Sequence, residues 1–232
     1  LKSNLGEAGS HLASAAAAET VDTASPPLPD LDQMSIEDLA NLEVTSVSRK
    51  PESVSGAAAA IYVINGEAIR RSGALNLPEA LRLAPNLQVA ANDSSTYAIS
   101  ARGFNHSTST ANKLQVLVDG RTVYTPLFSG VFWDVQNVFM EDLDRIEVIS
   151  GPGGTLWGAN AVNGVINVTS RAASETQGGF LTVGGGTAFT SLRARYGGGL
   201  GPGGAWRVYA LFDQRGPSAR PSGLEAFDQN DI

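Results

Sequence analysis

The chain has 232 residues, of which 42% are hydrophobic and 17% charged, a composition that excludes disorder throughout; its longest apolar stretch, residues 56–64, is too short for a membrane-spanning helix of roughly 18 to 20 residues. Zero cysteines and two histidines exclude disulfides and cysteine chemistry and leave little material for a metal site, so we expect no metal and no cofactor. The net charge of −7 arises mostly in residues 19–52 while residues 53–171 are nearly neutral, so no basic face for nucleic acid is expected.

The N-terminal part predicts a tether. Residues 1–34 are rich in alanine, serine and proline and indicate a flexible segment, and residues 13–18 are compatible with the end of a secretory signal. Ser35 and Asp38 resemble a capping box, which predicts a short acidic helix. Residues 44–48 then alternate apolar and hydroxyl side chains, which predicts a strand that Pro51 ends.

The pattern of residues 53–171 predicts a compact α+β body of short elements. We expect helices over 66–71 and 77–83, an exposed loop over 105–112, an aromatic turn region over 126–133, an amphipathic turn over 138–143 and a glycine-punctuated turn over 151–164. Strands are expected over 60–64, 87–90, 97–101, 114–118, 121–124, 145–149 and 165–169.

Beyond Arg171 the chain changes character. Apolar residues at 192, 194 and 196 alternate with Arg193 and Arg195, and a second alternating segment over 206–213 follows a glycine-rich turn. Strands of a membrane β-barrel show this pattern, and so does a soluble antiparallel hairpin with one wet face. The two segments by themselves leave both interpretations open.

Three passages resemble the plug domain of TonB-dependent outer-membrane receptors. They are DLANLEVTSVSRK at 38–50, LQVLVDGRTVY at 114–124 and DRIEVISGPGGTLWGANAVNGVINV at 144–168. The third is the most specific because it joins strand, turn and strand in one run. The family closes a 22-stranded barrel, whereas 61 residues follow Arg171, so the resemblance implies a fragment of a longer receptor.

The resemblance implies a fold, a location and a function. The expected fold is a small mixed-sheet plug with short helices at 53–171, after a tether at 1–34 and 35–52, followed at 172–232 by antiparallel hairpins that begin the barrel. The plug would lie inside the barrel in the outer membrane, with its N-terminus in the periplasm. It would serve active uptake of a scarce substrate such as a siderophore-iron complex or a cobalamin, powered by TonB. The expected partners are TonB, the receptor's own barrel, outer-membrane lipid and a small molecule such as a metal chelate.

The resemblance also assigns roles to particular residues. A TonB box must offer free backbone groups to which a partner adds a strand, and it would comprise Glu43, Val44, Thr45, Ser46, Val47 and Ser48; the alternative is that this segment is the first strand of the body. Substrate-facing loops would carry Arg102, Phe104, Asn105, His106, Tyr124, Thr125, Phe128, Phe132 and Trp133.

Charges in or beside apolar strands need partners, because an unpaired buried charge is costly. In receptors of this family such plug charges meet the inner wall of the barrel, and the candidates are Arg102, Arg121, Arg145, Glu147 and Arg171; ordinary surface pairs are the alternative.

The glycine-rich run lacks the spacing of a phosphate-binding loop, so we interpret it as a structural turn whose glycines supply positive φ. It comprises Gly151, Pro152, Gly153, Gly154, Gly158 and Gly164.

No constellation for catalysis is visible. Asp142 and Asp144 are neighbours in sequence, but no base, nucleophile or metal partner stands near them, so we expect no enzyme. The rival hypothesis is a soluble periplasmic module that binds another protein and has no barrel.

Overall fold

A computed structural model describes residues 60–103, 113–127, 129–187 and 189–217, together with the backbone of three short strands at 43–44, 52–53 and 230–231. The predicted helix after Ser35, residues 45–48 and the loop 105–112 lie outside the described residues. Strand β1 (Glu43–Val44) pairs antiparallel with β2 (Glu52–Ser53) in a two-stranded sheet of its own.

A five-stranded mixed sheet organises the body, which we define as residues 60–171. Its strands are β3 (Ala60–Asn65), β6 (Leu114–Val118), β7 (Arg121–Thr122), β8 (Leu143–Ser150) and β9 (Gly164–Ser170). They lie in the order β3-β8-β9-β6-β7, and only β6 and β9 run parallel. Strand β8 is buried along nearly its whole length because it lies between two neighbours. The predicted strand 121–124 is shorter than expected and ends at Thr122.

Local capping sets the bounds of two short helices. Helix α1 (Gly66–Ser72) begins where the Asn65 side chain accepts a hydrogen bond from the backbone N–H of Ala68, and it ends at Gly73, whose φ of 70° is left-handed. Helix α2 (Leu77–Leu81) is capped in the same way by Asn76 and ends two residues earlier than predicted, in a series of tight turns that leads to Leu87.

A hairpin and a one-turn helix complete the body. The hairpin joins β4 (Leu87–Ala91) to β5 (Tyr97–Ala101). Strand β5 has the predicted bounds, and β4 extends one residue further than predicted. Helix α3 (Gly154–Trp157) lies inside the predicted glycine turn and was not predicted. Two 3₁₀ turns, Trp133–Val135 and Met140–Asp142, precede β8.

The main hydrophobic core joins α1, α2 and the β4–β5 hairpin to the five-stranded sheet. Its fully buried side chains include Ile64, Ile69, Leu77, Leu81, Leu114, Ile146 and Ile166. A smaller cluster contains Leu117, Ile149, Ala161 and Val165, against which Trp157 packs. The prediction of an α+β body with a mixed sheet is therefore confirmed.

A second, antiparallel sheet follows the body through the 3₁₀ turn Ala173–Glu175. Strands β10 (Gly178–Gly185), β11 (Phe189–Gly199) and β12 (Ala205–Arg215) pair along their length and are called the wall sheet below; β13 (Asn230–Asp231) pairs with the end of β12. Strand β10 was not predicted because four of its eight residues are glycine, which weakens a strand pattern. Among the described residues, no helix has the length and apolar character needed to cross a membrane.

Candidate functional site

The wall sheet has an apolar outer face and a charged inner face. Alternation along each strand exposes large apolar side chains on the side away from the body: Leu181, Val183, Leu192, Tyr196, Trp206, Val208 and Phe212. The intervening positions face the body; Arg193 among them is only 4% exposed, whereas Phe180 and Tyr209 are 38% and 45% exposed. Because side chains alternate along each strand, the wall sheet has an apolar outer face and a separate inner face that contacts the body.

Two acidic residues of the 3₁₀ turn Met140–Asp142 bind arginines of the wall sheet. Arg195 Nη1 donates to Asp142 Oδ1 at 2.6 Å, and Arg207 Nη1 lies 3.5 Å from Asp142 Oδ2. Arg193 reaches Glu141 at 3.6 Å and also pairs with Asp213 of its own sheet at 3.2 Å. One turn of the body thus collects three guanidinium groups.

Further arginine contacts lie at both ends of the wall sheet. Arg207 donates to the backbone oxygen of Arg171 at 2.6 Å and to Ser170 Oγ at 2.8 Å. Arg215, at the other end of β12, donates to Tyr97 Oη at 3.0 Å and lies 3.9 Å from Glu79. These contacts hold β12 against the body near both of its ends.

Burial works against the charge of Asp142. Desolvation raises the pKa of Asp142 above its ordinary value, and this effect outweighs the attraction of Arg195, Arg207 and Arg171, which lowers it. Asp142 Oδ2 and the Nε atoms of Arg171 and Arg195 are buried without a hydrogen-bond partner in the structure. Buried pairs of this kind fix an orientation while contributing little net stability.

A different charge cluster is internal to the body. Arg145 Nε donates to Glu147 Oε1 at 2.7 Å and Arg145 Nη1 donates to Asp144 Oδ2 at 2.6 Å, and the side chains of Arg145 and Glu147 are 2% and 0% exposed. Burial alone would lower the pKa of Arg145, but the hydrogen bonds and charges of Glu147 and Asp144 raise it above its ordinary value. The guanidinium is therefore held charged inside the sheet.

The sequence and fold comparisons agree on one family. The family model described as TonB-dependent Receptor Plug Domain matches residues 53–165. Residues 53–165 are a TonB-dependent receptor plug domain.

Relatives by sequence carry the names of transporters and receptors. The vitamin B12 transporter BtuB of Vibrio vulnificus is 28% identical over 146 residues, which is 62% of this chain and 23% of the relative. The ferric enterobactin receptor PirA of Pseudomonas aeruginosa is 27% identical over 132 residues, which is 53% of this chain and 18% of the relative. The chain spans less than a quarter of the length of these two relatives.

Solved structures share the fold of the plug domain and the strands that follow it. The pyoverdine outer membrane receptor FpvA of Pseudomonas aeruginosa matches with a TM-score of 0.60 at 21% identity, over 75% of this chain and 25% of that one. The alcaligin outer membrane receptor FauA of Bordetella pertussis matches with a TM-score of 0.58 at 19% identity, over 75% and 29%. At these identities the likeness shows the fold alone.

Several predicted loop residues of the plug domain are at its surface. Arg102 is exposed with a φ of 57°, Phe132 is exposed, and Tyr124 and Thr125 are half-buried. Phe104, Asn105, His106 and Phe128 lie outside the described residues. Trp133 departs from the prediction: it is 5% exposed and belongs to the main core, because the 3₁₀ turn that it begins folds its ring inward.

The predicted plug charges divide into two groups. Arg145 and Glu147 are buried and paired with each other inside the body. Arg102 and Arg121 are exposed, because Arg102 follows the end of β5 and Arg121 lies in the edge strand β7. Arg171 is half-buried, and its backbone oxygen, not its side chain, accepts the hydrogen bond from Arg207.

The glycine turn uses positive φ at two positions, Gly151 at 121° and Gly158 at 91°. Gly153, Gly154 and Gly164 have other roles. Gly153 is the N-cap of α3, and Gly154 begins that helix. Gly164 lies in β9, where a Cβ would overlap the carbonyl oxygen of Ile149. Pro152 is exposed beside them. Close strand approach, which sequence spacing alone does not reveal, explains Gly164.

The acidic side of the contact between plug and wall has no recognisable signal in the sequence. Glu79, Glu141 and Asp142 each approach an arginine of the wall sheet, yet only the arginine side had a visible signal, as polar positions in an alternating strand. Among the described residues, no group of three histidine, cysteine or acidic side chains is arranged to hold a metal ion.

Proposed function

We propose that this chain is the plug and the first wall strands of an outer-membrane receptor that takes up a scarce small molecule, a cobalamin or a ferric siderophore complex. The plug-domain match supports this proposal, and so do the relatives named as a vitamin B12 transporter and a ferric enterobactin receptor. The observation that carries it is the wall sheet, apolar outside and bound to the plug inside through arginines. Such a sheet suits a position between lipid and an enclosed plug.

The charges between plug and wall fit a plug that must be released and seated again. Asp142 and Arg195 are largely desolvated, so their pairing selects one position without holding it strongly. A transporter that moves its plug needs this balance, since a tightly bonded plug would oppose each transport cycle. No covalent chemistry is required of any residue.

The tether would bind TonB in the periplasm by strand addition at Glu43, Val44, Thr45, Ser46, Val47 and Ser48. Strand β1 pairs with β2 in a two-residue sheet separate from the five-stranded sheet. An isolated pair of such short strands is marginally stable in water, so exchange for a partner's strand costs little.

Substrate contact would come from the outward loops of the plug. Arg102 and Phe132 offer an exposed cation and an exposed ring, with Tyr124 and Thr125 beside the same turn region as Phe132. Phe104, Asn105, His106 and Phe128 complete the proposed set. Trp133 is withdrawn from it because it is buried.

The proposal is tested with the full-length gene. A deletion strain should lose growth when cobalamin, or one ferric siderophore, is the limiting nutrient, and the purified receptor should bind that compound. Fractionation gives a second measurement: the product should be recovered with the outer membrane. Recovery in the soluble periplasmic fraction would favour the rival protein-binding module.

The tether is tested by Val44→Pro, which removes the backbone N–H of Val44 without touching the outward loops. We expect uptake to be lost while substrate binding is unchanged. Val44→Ala keeps the N–H and is the matched control, so it should transport normally. Loss of binding in Val44→Pro would contradict the assignment of this segment to TonB.

A further inference from the structure

Three arginines of the wall sheet each donate a hydrogen bond to a backbone oxygen in a turn of the plug. The donor and acceptor residues are Arg193 with Leu75, Arg207 with Arg171 and Arg215 with Ser94. The acceptors lie between α1 and α2, after β9, and in the turn of the β4–β5 hairpin. A backbone oxygen that is withdrawn from water without a donor is costly, so the wall sheet stabilises three turns of the plug.

The arginines of the inner face are shielded from water between the plug and β10–β12. The side chains of Arg193, Arg195, Arg207 and Arg215 are at most 17% exposed, and each guanidinium lies within 3.9 Å of a carboxylate of the plug. Because an unpaired buried charge is costly, the plug and these three strands form a matched pair of surfaces.

The contact at Phe139 requires β10, β11 and β12 to be paired. The ring centroid of Phe139 lies 6.1 Å from that of Phe180 in β10 and 5.5 Å from that of Tyr209 in β12. Arg195 of β11 stands between those two residues in the strand register, and its guanidinium lies 5.5 Å from the Phe180 centroid. One plug ring therefore contacts side chains that only the pairing of all three strands brings together.

The residues of the contact are close along the chain. Asp142 and Arg195 are 53 residues apart, and Ser170 and Arg207 are 37 residues apart, with the 3₁₀ turn Ala173–Glu175 connecting plug and wall sheet. The entropic cost of closing a loop rises with its length, which favours contacts at short separation early in folding. Closing a barrel of about 22 strands, at about ten residues per strand, joins β10 to a strand more than about 200 residues further along.

We infer that the plug docks on β10–β12 before the barrel of the receptor closes, and that this docked unit is the intermediate to which the later strands are added. The inference rests on the proposed function, because only a receptor has a barrel to close. Docking at this stage gives the inner arginines their acids and fixes the register of the first strands. The later strands then enclose a plug that is already seated, so no folded plug has to enter a finished barrel.

Photochemical cross-linking in the full-length receptor tests the order of these steps. The variant Tyr209→p-benzoylphenylalanine carries a photoreactive ring at the position that contacts Phe139. Cells are irradiated shortly after induction, and closed receptor is separated from unclosed receptor by electrophoresis in SDS without heating, which a closed barrel withstands. We expect peptides that join position 209 to the plug segment around Phe139 in the unclosed fraction. Cross-links confined to the closed fraction, or absent from both fractions, overturn the inference.

Tyr196→p-benzoylphenylalanine is the matched control. It places the same photoreactive group on the outer face of the wall sheet, where Tyr196 is 59% exposed. It should form no cross-link to the plug in either fraction. A plug cross-link as strong as that from position 209 would contradict the inference, since the signal would then report nonspecific proximity.

Exchange of one ion pair tests whether the early contact is the one in the structure. Asp142→Arg, combined with the photoreactive residue at position 209, places a cation against Arg195 and Arg207, so the cross-link in the unclosed fraction should fall severalfold. Adding Arg195→Asp restores a pair of opposite charges and should recover most of the cross-link. Equal cross-linking of the unclosed receptor with and without these substitutions would rule out the seat as the early contact.

The order of assembly and the proposed function can fail separately. Cross-linking in the unclosed fraction of a receptor that serves neither cobalamin nor a ferric siderophore would refute the proposed function and keep the order of assembly. Cross-links confined to the closed fraction of a receptor that transports such a nutrient would do the reverse.

Discussion

Replacing Arg145 by methionine should strongly destabilise the plug. The guanidinium donates to Glu147 at 2.7 Å and to Asp144 at 2.6 Å, inside a sheet where Glu147 is fully buried. Methionine fills a similar space but leaves two carboxylates without their cation. Removing one partner of a buried ion pair costs about 3 to 5 kcal/mol, because the remaining charge is uncompensated.

A second substitution separates the cost of the uncompensated charge from the cost of any lost packing. In Arg145→Met/Glu147→Met the most buried carboxylate is removed together with its partner, and buried pairs replaced by apolar residues are often neutral in stability. Asp144 remains, but its side chain is 9% exposed and is the least buried member of the cluster. The double variant should therefore recover most of the loss.

Hydrogen exchange of the full-length receptor in detergent measures both effects on β8 and β9. A loss of about 3 to 5 kcal/mol corresponds to exchange that is about two to three and a half orders of magnitude faster. Glu67→Gln, which breaks an exposed pair with Arg70, is the control and should cost about 0 to 1 kcal/mol. A change of less than about 1 kcal/mol in Arg145→Met would refute the argument, since it would mean that the cluster is hydrated.

Two further predictions concern the wall contact and a strand glycine. Because burial raises the pKa of Asp142, the folded state binds its proton more tightly than the unfolded state, so the free energy of unfolding should fall as pH rises from about 3.8 through the raised pKa. Asp142→Asn should abolish this pH dependence in urea titrations at several pH values, and an unchanged dependence would assign it to another group. Gly164→Ala should destabilise the pairing of β8 with β9, because its Cβ would overlap the carbonyl oxygen of Ile149. Gly154→Ala is the control: open space surrounds this position in α3, so the variant should be neutral or stabilising by about 0.5 to 1 kcal/mol. Equal thermal midpoints of the two variants would contradict the close approach at Gly164.

Much of the plug could be predicted from short-range patterns. The strand over 97–101 has the predicted bounds, and helix α1 has its predicted start because Asn65, Gly66 and Gly73 carry local capping and turn chemistry. Strand β10 escaped prediction because its glycines give no alternation at its ends, and its pairing with β11 decides its conformation.

Only the arginine side of the candidate site could be recognised from the sequence. Arg193 and Arg195 stood out as charged positions in an apolar strand, but Glu141 and Asp142 had no pattern that marked them as their partners. Trp133 was predicted to be exposed and is buried, because an aromatic residue in a turn-rich stretch has the same sequence signal whether its ring faces solvent or the core.

The sequence by itself determined which side chains of the wall point to the same face, because the period of two is a property of the extended backbone. It also determined the family, through an unbroken run of strand, turn and strand. Only the tertiary structure decided which acid meets which arginine and which aromatic rings of the wall sheet contact Phe139. Those contacts join residues as far apart as Tyr97 and Arg215, and the path of the chain, not local propensity, brings them together.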